Sequence, residues 1–179
     1  CDFIRKYSAF GKVEREAMFQ LTDLFSLFYL RFVKRYNGRD AHHWTNMLDT
    51  PARNTWRGYA FEQVCLLHIP QIKKALGING IQSDVSSWYS KDKEQGAQID
   101  LLIDRRDQTI NLCEMKYAAA EYEITRAYHK KLMSRRELFR QQTKTRKALY
   151  LTMNTTHGIS RNRYAGDIQS EVTMEELFN

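Results

Sequence analysis

The sequence predicts an α/β domain built on a mixed sheet flanked by helices. Three observations predict it. The elements run helix, strand, strand, strand, helix, strand along the chain. Two neighbouring segments, QIDLLIDR and TINLCEMKY, alternate apolar and polar residues as half-buried strands do. A later segment, KALYLTMN, is apolar enough to lie in the middle of a sheet. With 179 residues, 42% of them hydrophobic and 12% aromatic, against only 2 Pro and 8 Gly, the chain can bury a core. The same figures exclude a disordered or collagen-like chain.

The elements follow in order. Residues 1–50 read as a helical lead-in. Within it, Thr22 or Asp23 can cap a helix over LFSLFYLRFVKRY, because a short side-chain oxygen accepts an orphan amide of the first turn. That helix is apolar nearly all round, through Leu24, Phe25, Leu27, Phe28, Tyr29, Leu30, Phe32, Val33 and Tyr36. Such a helix must be buried on every side. The sequence suggests that it packs on a domain beyond this stretch of chain or on a second copy. Position 1 is Cys rather than Met, and the sequence reads as part of something longer.

The polar stretch 37–51 marks the boundary to a second unit, 51–179. It opens with a helix over ARNTWRGYAFEQVCLLHI, carrying Trp56, Tyr59, Ala60, Val64 and Leu67 at helical spacing. Pro70 suits the first turn of a short helix, QIKKALGI, that stops at the GING turn. IQSDVSSWYS is a weaker strand, in which core packing suits Trp88 and Tyr89 better than stacking on bases. QIDLLIDR and TINLCEMKY form a hairpin through a polar loop near Arg106–Gln108. Residues 121–146 form an amphipathic helix, with Ile124, Ala127, Tyr128, Leu132, Leu138 and Phe139 on one stripe. Arg126, Lys130, Arg136 and Arg140 lie opposite as a basic face for nucleic acid. After KALYLTMN comes a turn at His157–Gly158, and a capping-box spacing from Thr173 to Glu176 introduces a last short helix.

Charge and cysteine content narrow the classes further. The net charge of +7, from 28 Lys+Arg against 21 Asp+Glu, favours a polyanionic partner. Three scattered cysteines, Cys1, Cys65 and Cys113, make no disulfide framework and point to a reducing, cytoplasmic setting. No apolar run of about 18 residues spans a membrane, and no signal peptide is visible. The histidines show no ligand spacing with cysteine, which argues against zinc.

The chemistry concentrates on the hairpin. With period two, Asp100, Leu102 and Asp104 face one way and Ile99, Leu101 and Ile103 the other. Glu114 and Lys116 share a face with Ile110 and Leu112, and Cys113 points to the other side as a core residue. A three-residue loop at 106–108 would set Asp100 across from Glu114 and Gln98 across from Lys116. Opposed Cβ atoms lie roughly 4.5–5.5 Å apart. An even-numbered loop would instead put Asp100 opposite Cys113 and spoil the site. Two carboxylates held so close call for a divalent cation, and hard oxygens suit Mg²⁺. Such an ion polarises a phosphodiester and activates water, with Lys116 beside it to orient that water. The bland alternatives are an Asp100–Lys116 salt bridge, a solvated face for Glu114 and Lys116, and a surface position for Glu62. Asp84, Glu94 and Asp104 read as loop or edge charges.

The D-x(13)-E-x-K hairpin, after a helix bearing a Glu and before an amphipathic helix and strand, resembles the PD-(D/E)xK nuclease superfamily. The resemblance implies a restriction-endonuclease-like αβββαβ core. It makes Asp100 the motif's Asp, Glu114 its acidic residue, Lys116 its Lys, and Glu62 in RGYAFEQ the Glu of the first helix. Ile99 stands where the superfamily has Pro. The implied metal ligands are Asp100, Glu114, Glu62 and the main-chain carbonyl of Met115, around Mg²⁺ or Mn²⁺. QLTDLFSLFYLRF, WRGYAFEQVCLLHIPQIKKALGI, QIDLLIDR, INLCEMKY and KALYLTMNTTHGI further resemble the C-terminal half of a group of bacterial and archaeal AAA-type ATPases. That group carries a P-loop ATPase domain and a winged helix ahead of a nuclease-like domain, which would make residues 1–50 the end of a winged-helix or linker region and 51–179 the nuclease-like domain. No GxxxxGK[ST] occurs in this sequence, so ATP would bind only in that N-terminal half. The expectation is a nuclease-like domain hydrolysing DNA, with its own ATPase domain and a homo-oligomer as partners. The alternative is a non-cleaving module that binds nucleic acid or docks a partner.

Overall fold

A computed structural model of the chain describes residues 3–11, 18–34, 36–48, 50–90 and 96–179. Cys1 and Glu94 fall outside these. At the centre lies a five-stranded sheet in the order β3 (Ser83–Tyr89), β4 (Gln98–Arg105), β5 (Thr109–Lys116), β6 (Ala148–Thr155) and β7 (Ser170–Thr173). β3, β4 and β5 pair antiparallel; β5, β6 and β7 pair parallel. The sheet is therefore mixed, with helices on both faces: a restriction-endonuclease-like α/β fold. The parallel step from β5 to β6 needs a crossover, which is α5 (Arg126–Thr143).

Helices α3 (Pro51–Leu67) and α4 (Ile69–Ala75) cover one face of the sheet. There Phe61, Cys65, Leu66 and Ile72 pack on Leu101, Ile103, Cys113 and Met115. On the other face, Leu132 and Phe139 of α5 pack on Leu102, Ile110, Leu112, Leu151 and Met153. Cys113 and Glu114 thus do point to opposite sides. Thr50 caps α3 and Pro51 takes its first turn. Gly77, at φ +67°, ends α4 in the left-handed conformation that glycine adopts freely.

The β4–β5 loop has three residues, 106–108, closed by Gln108 at φ +65°. Registered pairs run from Asp104↔Ile110 to Leu101↔Cys113, where the pairing ends; the same register continued one step would set Asp100 against Glu114. The odd-numbered loop is the one realised. Strict alternation along β4 is not. Ser86 pairs with Leu102 but Trp88 with Ile99, so Ser87 alone faces both Asp100 and Leu101. This bulge carries Ile99 to the α5 side, against Trp88 and Leu102, rather than to the side of Leu101 and Ile103.

The N-terminal region also departs from the expected helix. A two-stranded hairpin, β1 (Ile4–Tyr7) and β2 (Met18–Leu21), comes first. Its Phe3, Ile4 and Phe19 stay exposed while Arg5 donates to the Leu66 carbonyl at 3.0 Å. Past β1, Phe10 N–H donates to Ser87 O at 2.7 Å and covers part of the free edge of β3. Helix α1 (Leu24–Phe28) begins after Asp23, which accepts from Ser26 N–H, and continues as a π-helical turn, Tyr29–Val33. None of its side chains is fully buried, although Phe28 and Phe32 pack edge-on against Trp44 and Trp56. A one-turn helix, α2 (His43–Asn46), interrupts the stretch read as irregular.

Elsewhere the differences are at element ends. Leu67 is exposed, since α3 buries the Phe61–Cys65 face instead. α5 starts at Arg126 because Thr125 caps it, and residues 121–125 instead lead in through a bridge of Tyr122 to Ile159. The turn before β7 uses Gly158 at φ +88°. β7 itself was not visible in the sequence, being four residues whose partner lies on a parallel neighbour. Of the expected capping box only one half forms: Glu176 Oε2 accepts from the Thr173 backbone N–H at 2.7 Å and from its hydroxyl at 3.0 Å, while the single 3₁₀ turn that follows, Glu175–Leu177, starts after Met174 with no side-chain cap. No helix among the described residues is long and apolar enough to cross a membrane.

Candidate active site

Beyond the Leu101↔Cys113 pair the bulge disturbs β4 beside β5, and a cleft of about 830 Å³ opens at this end of the sheet. Its walls include Glu62 from α3, Gln98 and Asp100 from β4, and Glu114 and Lys116 from β5. α5 adds Lys131, Ser134, Arg135 and Leu138. All four side chains predicted to carry chemistry therefore meet in one place. Met115, whose carbonyl was the remaining expected ligand, lies between Glu114 and Lys116 with its side chain in the core.

Glu114 is the most constrained of the four. Its Oε1 accepts from the Tyr128 hydroxyl at 2.8 Å and pairs with Lys116 Nζ at 2.9 Å. Its Oε2 pairs with Arg135 Nη1. Burial alone would raise the Glu114 pKa, but Arg135 and Lys116, with the Tyr128 hydroxyl, outweigh burial and hold it below the usual carboxylate range. Lys116 also lies 5.4 Å from the centre of the Tyr128 ring. The salt bridge that Lys116 makes is thus with Glu114 and not with Asp100.

Asp100 and Glu62 sit in the opposite electrostatic state. Burial raises the Asp100 pKa, and Glu114 adds to it, although Gln98 donates to Asp100 Oδ1 at 2.5 Å. Burial pushes Glu62 up to about 7, with Asp100 the next contributor. Both carboxyls hold a proton more readily than a free carboxyl does, chiefly because they are buried, and Lys116 offsets this only in part. Glu62 is accordingly a cleft residue rather than a surface one. Asp84 and Asp104, read as loop or edge charges, pair elsewhere. Asp84 meets Arg106 at 3.6 Å and Asp104 meets Lys147 at 2.5 Å.

The basic residues read as a nucleic-acid face do not line this cleft. Arg126 and Lys130 are exposed, Arg136 and Arg140 half-buried, and the cleft takes Lys131 and Arg135 instead. Sequence reasoning passed over Arg135 and gave Tyr128 only a packing role. The signal was there: Arg135 follows Tyr128 by seven residues and precedes Leu138 by three, which puts all three on the same stripe of α5. Trp88 is buried against Phe139, their rings 5.3 Å apart, while Tyr89 is exposed.

For a hard divalent cation the donors fit in kind. Asp100 and Glu62 offer undercompensated oxygens to a shared cleft, and Glu114 stands beside them. The arrangement is another matter, because Glu114 is committed to three donors. Among the described residues no three His, Cys, Asp or Glu side chains are grouped so as to hold a metal ion.

Comparison with known proteins adds family but not activity. No curated protein matches the chain. One solved structure, a crystal structure of a protein of unknown function, AF1548, is 14% identical with a TM-score of 0.44. The match covers 65% of this chain and 64% of that one, so this chain spans less than two thirds of that protein's length. Residues 29–130 match the family DUF234, described as archaea bacterial proteins of unknown function. That stretch is more than half of the chain and contains Glu62, Asp100, Glu114 and Lys116; the chain belongs to this family.

Proposed function

We propose that this chain is a nuclease-like domain that hydrolyses phosphodiester bonds in DNA with Mg²⁺ or Mn²⁺. The observation that carries the reading is the convergence of Glu62, Asp100, Glu114 and Lys116 on one cleft at the disturbed end of a β-hairpin. Asp100, Glu62, Glu114 and the Met115 carbonyl would hold the cation. When bound, it would polarise the phosphodiester and lower the pKa of a water molecule. The chain's own groups do the rest. Lys116, held by Glu114, orients the attacking water and offsets charge growing on the phosphate. Lys131 and Arg135, on the α5 wall, attract and position the DNA backbone. Arg126 and Lys130 extend the basic surface along the same helix.

By its resemblance, the domain works within a longer chain whose ATPase half binds ATP. The exposed Phe25, Tyr29, Leu30 and Val33 of the N-terminal helix support a docking role for that region. One specific observation favours a second reading, a module that binds DNA without cutting it: Glu114 is already saturated by Arg135, Lys116 and Tyr128.

The two readings separate on supercoiled plasmid incubated with the chain and Mg²⁺ or Mn²⁺, alongside Asp100→Asn. The first predicts nicking that chelator and Asp100→Asn both abolish, with DNA binding retained. Binding without any nicked product, under either cation, supports the second.

A further inference from the structure

We propose that Arg135 is a latch on Glu114, a positioning residue that occupies the place of the divalent cation in the resting site and must let go before the cation binds. This rests on the cation-dependent reading above and names what controls it. Glu114 on β5 and Arg135 in the middle of α5 are both nearly enclosed, with side-chain exposures of 12% and 15%. A carboxylate so placed needs a counter-charge, and without a bound cation the protein has to supply it.

The supply is lopsided. Arg135 and Lys116 both pair with Glu114, one on each oxygen, while Asp100 and Glu62 make no ion pair among the described residues. A divalent ion drawn to Asp100 and Glu62 meets the Arg135 guanidinium on the third carboxylate. The two compete for the same oxygen and repel each other by charge. Lys116 cannot fill this role alone, because it sits on the other oxygen with Tyr128. Release is sterically feasible, since Arg135 borders the open cleft beside Lys131 and Ser134. It would leave Glu114 fixed by Tyr128 and Lys116 with Oε2 free for the ion.

The test is a Mn²⁺ titration of the folded chain, following free Mn²⁺ by paramagnetic resonance, in wild type, Arg135→Gln, Lys131→Gln and Asp100→Asn. The latch predicts that Arg135→Gln binds Mn²⁺ at least about tenfold more tightly than wild type. Lys131→Gln removes a charge from the same cleft without touching the latch and is expected to gain much less. Equal or weaker binding by Arg135→Gln, or an equal gain in Lys131→Gln, overturns the latch while Asp100-dependent binding keeps the cation site. Binding that is absent throughout, or indifferent to Asp100→Asn, overturns the cation site and the latch together. A wild-type measurement guards against a variant that misfolds: the guanidinium ¹⁵N–¹H signal of Arg135, assigned by its loss in Arg135→Lys. It is expected to move as Mg²⁺ binds, and a signal that stays fixed while the cation binds overturns the latch.

Discussion

Glu62 shows how a single side chain ties the site to stability. Burial, then Asp100, raises its pKa from 4.5 to about 7, so the folded chain holds a proton that the unfolded chain gives up near pH 4.5. The sign follows from linkage. Between those values the native state binds more protons than the unfolded one, so stability falls as pH rises from about 4.5 through about 7. Glu62→Gln removes the titration and keeps the shape. Thermal melts of this variant are expected to lose that slope, with a higher Tm than wild type at pH 8. A variant that keeps the wild-type slope would show that Glu62 is not the buried proton. Glu114 behaves oppositely. Held below the usual range, it contributes stability that is present above the ordinary carboxylate value and lost as pH falls further into the acid.

At the scale of elements, α5 connects the fold to the site. It brings Phe139 to the core and Tyr128 and Arg135 to Glu114. Its first turn depends on Thr125, whose hydroxyl accepts from Tyr128 N–H at 3.2 Å. Thr125→Ala is expected to cost about 1 kcal/mol in urea unfolding. It should also loosen the Tyr128–Glu114 bond, since Tyr128 sits in the turn that frays. No change in the unfolding midpoint would mean that packing, not the cap, fixes this end of the helix. The same elements show what a sequence can reveal. The period-two pattern of QIDLLIDR and TINLCEMKY, with a three-residue loop, set the register that brings Asp100 toward Glu114. The bulge at Asp100–Leu101 left no local trace, because it answers to the pairing of β3 across from it. β1, β2 and β7 were illegible for a related reason. Each has only four residues, too few for a period to declare itself, and each is fixed by a partner strand.

Across the whole molecule, the mixed sheet explains why the site is where it is. β4 and β5 pair tightly near their loop, and the bulge disturbs the pair at the far end. The helices covering the two faces, α3 and α5, deliver Glu62 from one side and Arg135 from the other. Three carriers of chemistry were legible because they stand on two alternating strands, and the fourth, Glu62, only through the resemblance of RGYAFEQ to the first helix of a known superfamily. Arg135 and Tyr128 escaped because a basic and an aromatic residue on a helix read first as surface and core. The most direct measurement is the initial rate of cleavage of a fluorophore-quencher DNA oligonucleotide against Mg²⁺ concentration, for wild type and Lys116→Ala. A rate that saturates with Mg²⁺ and falls about 100-fold or more in Lys116→Ala is the predicted result. Cleavage that survives Lys116→Ala unchanged, or none from the folded wild-type chain at any Mg²⁺ concentration, would contradict it.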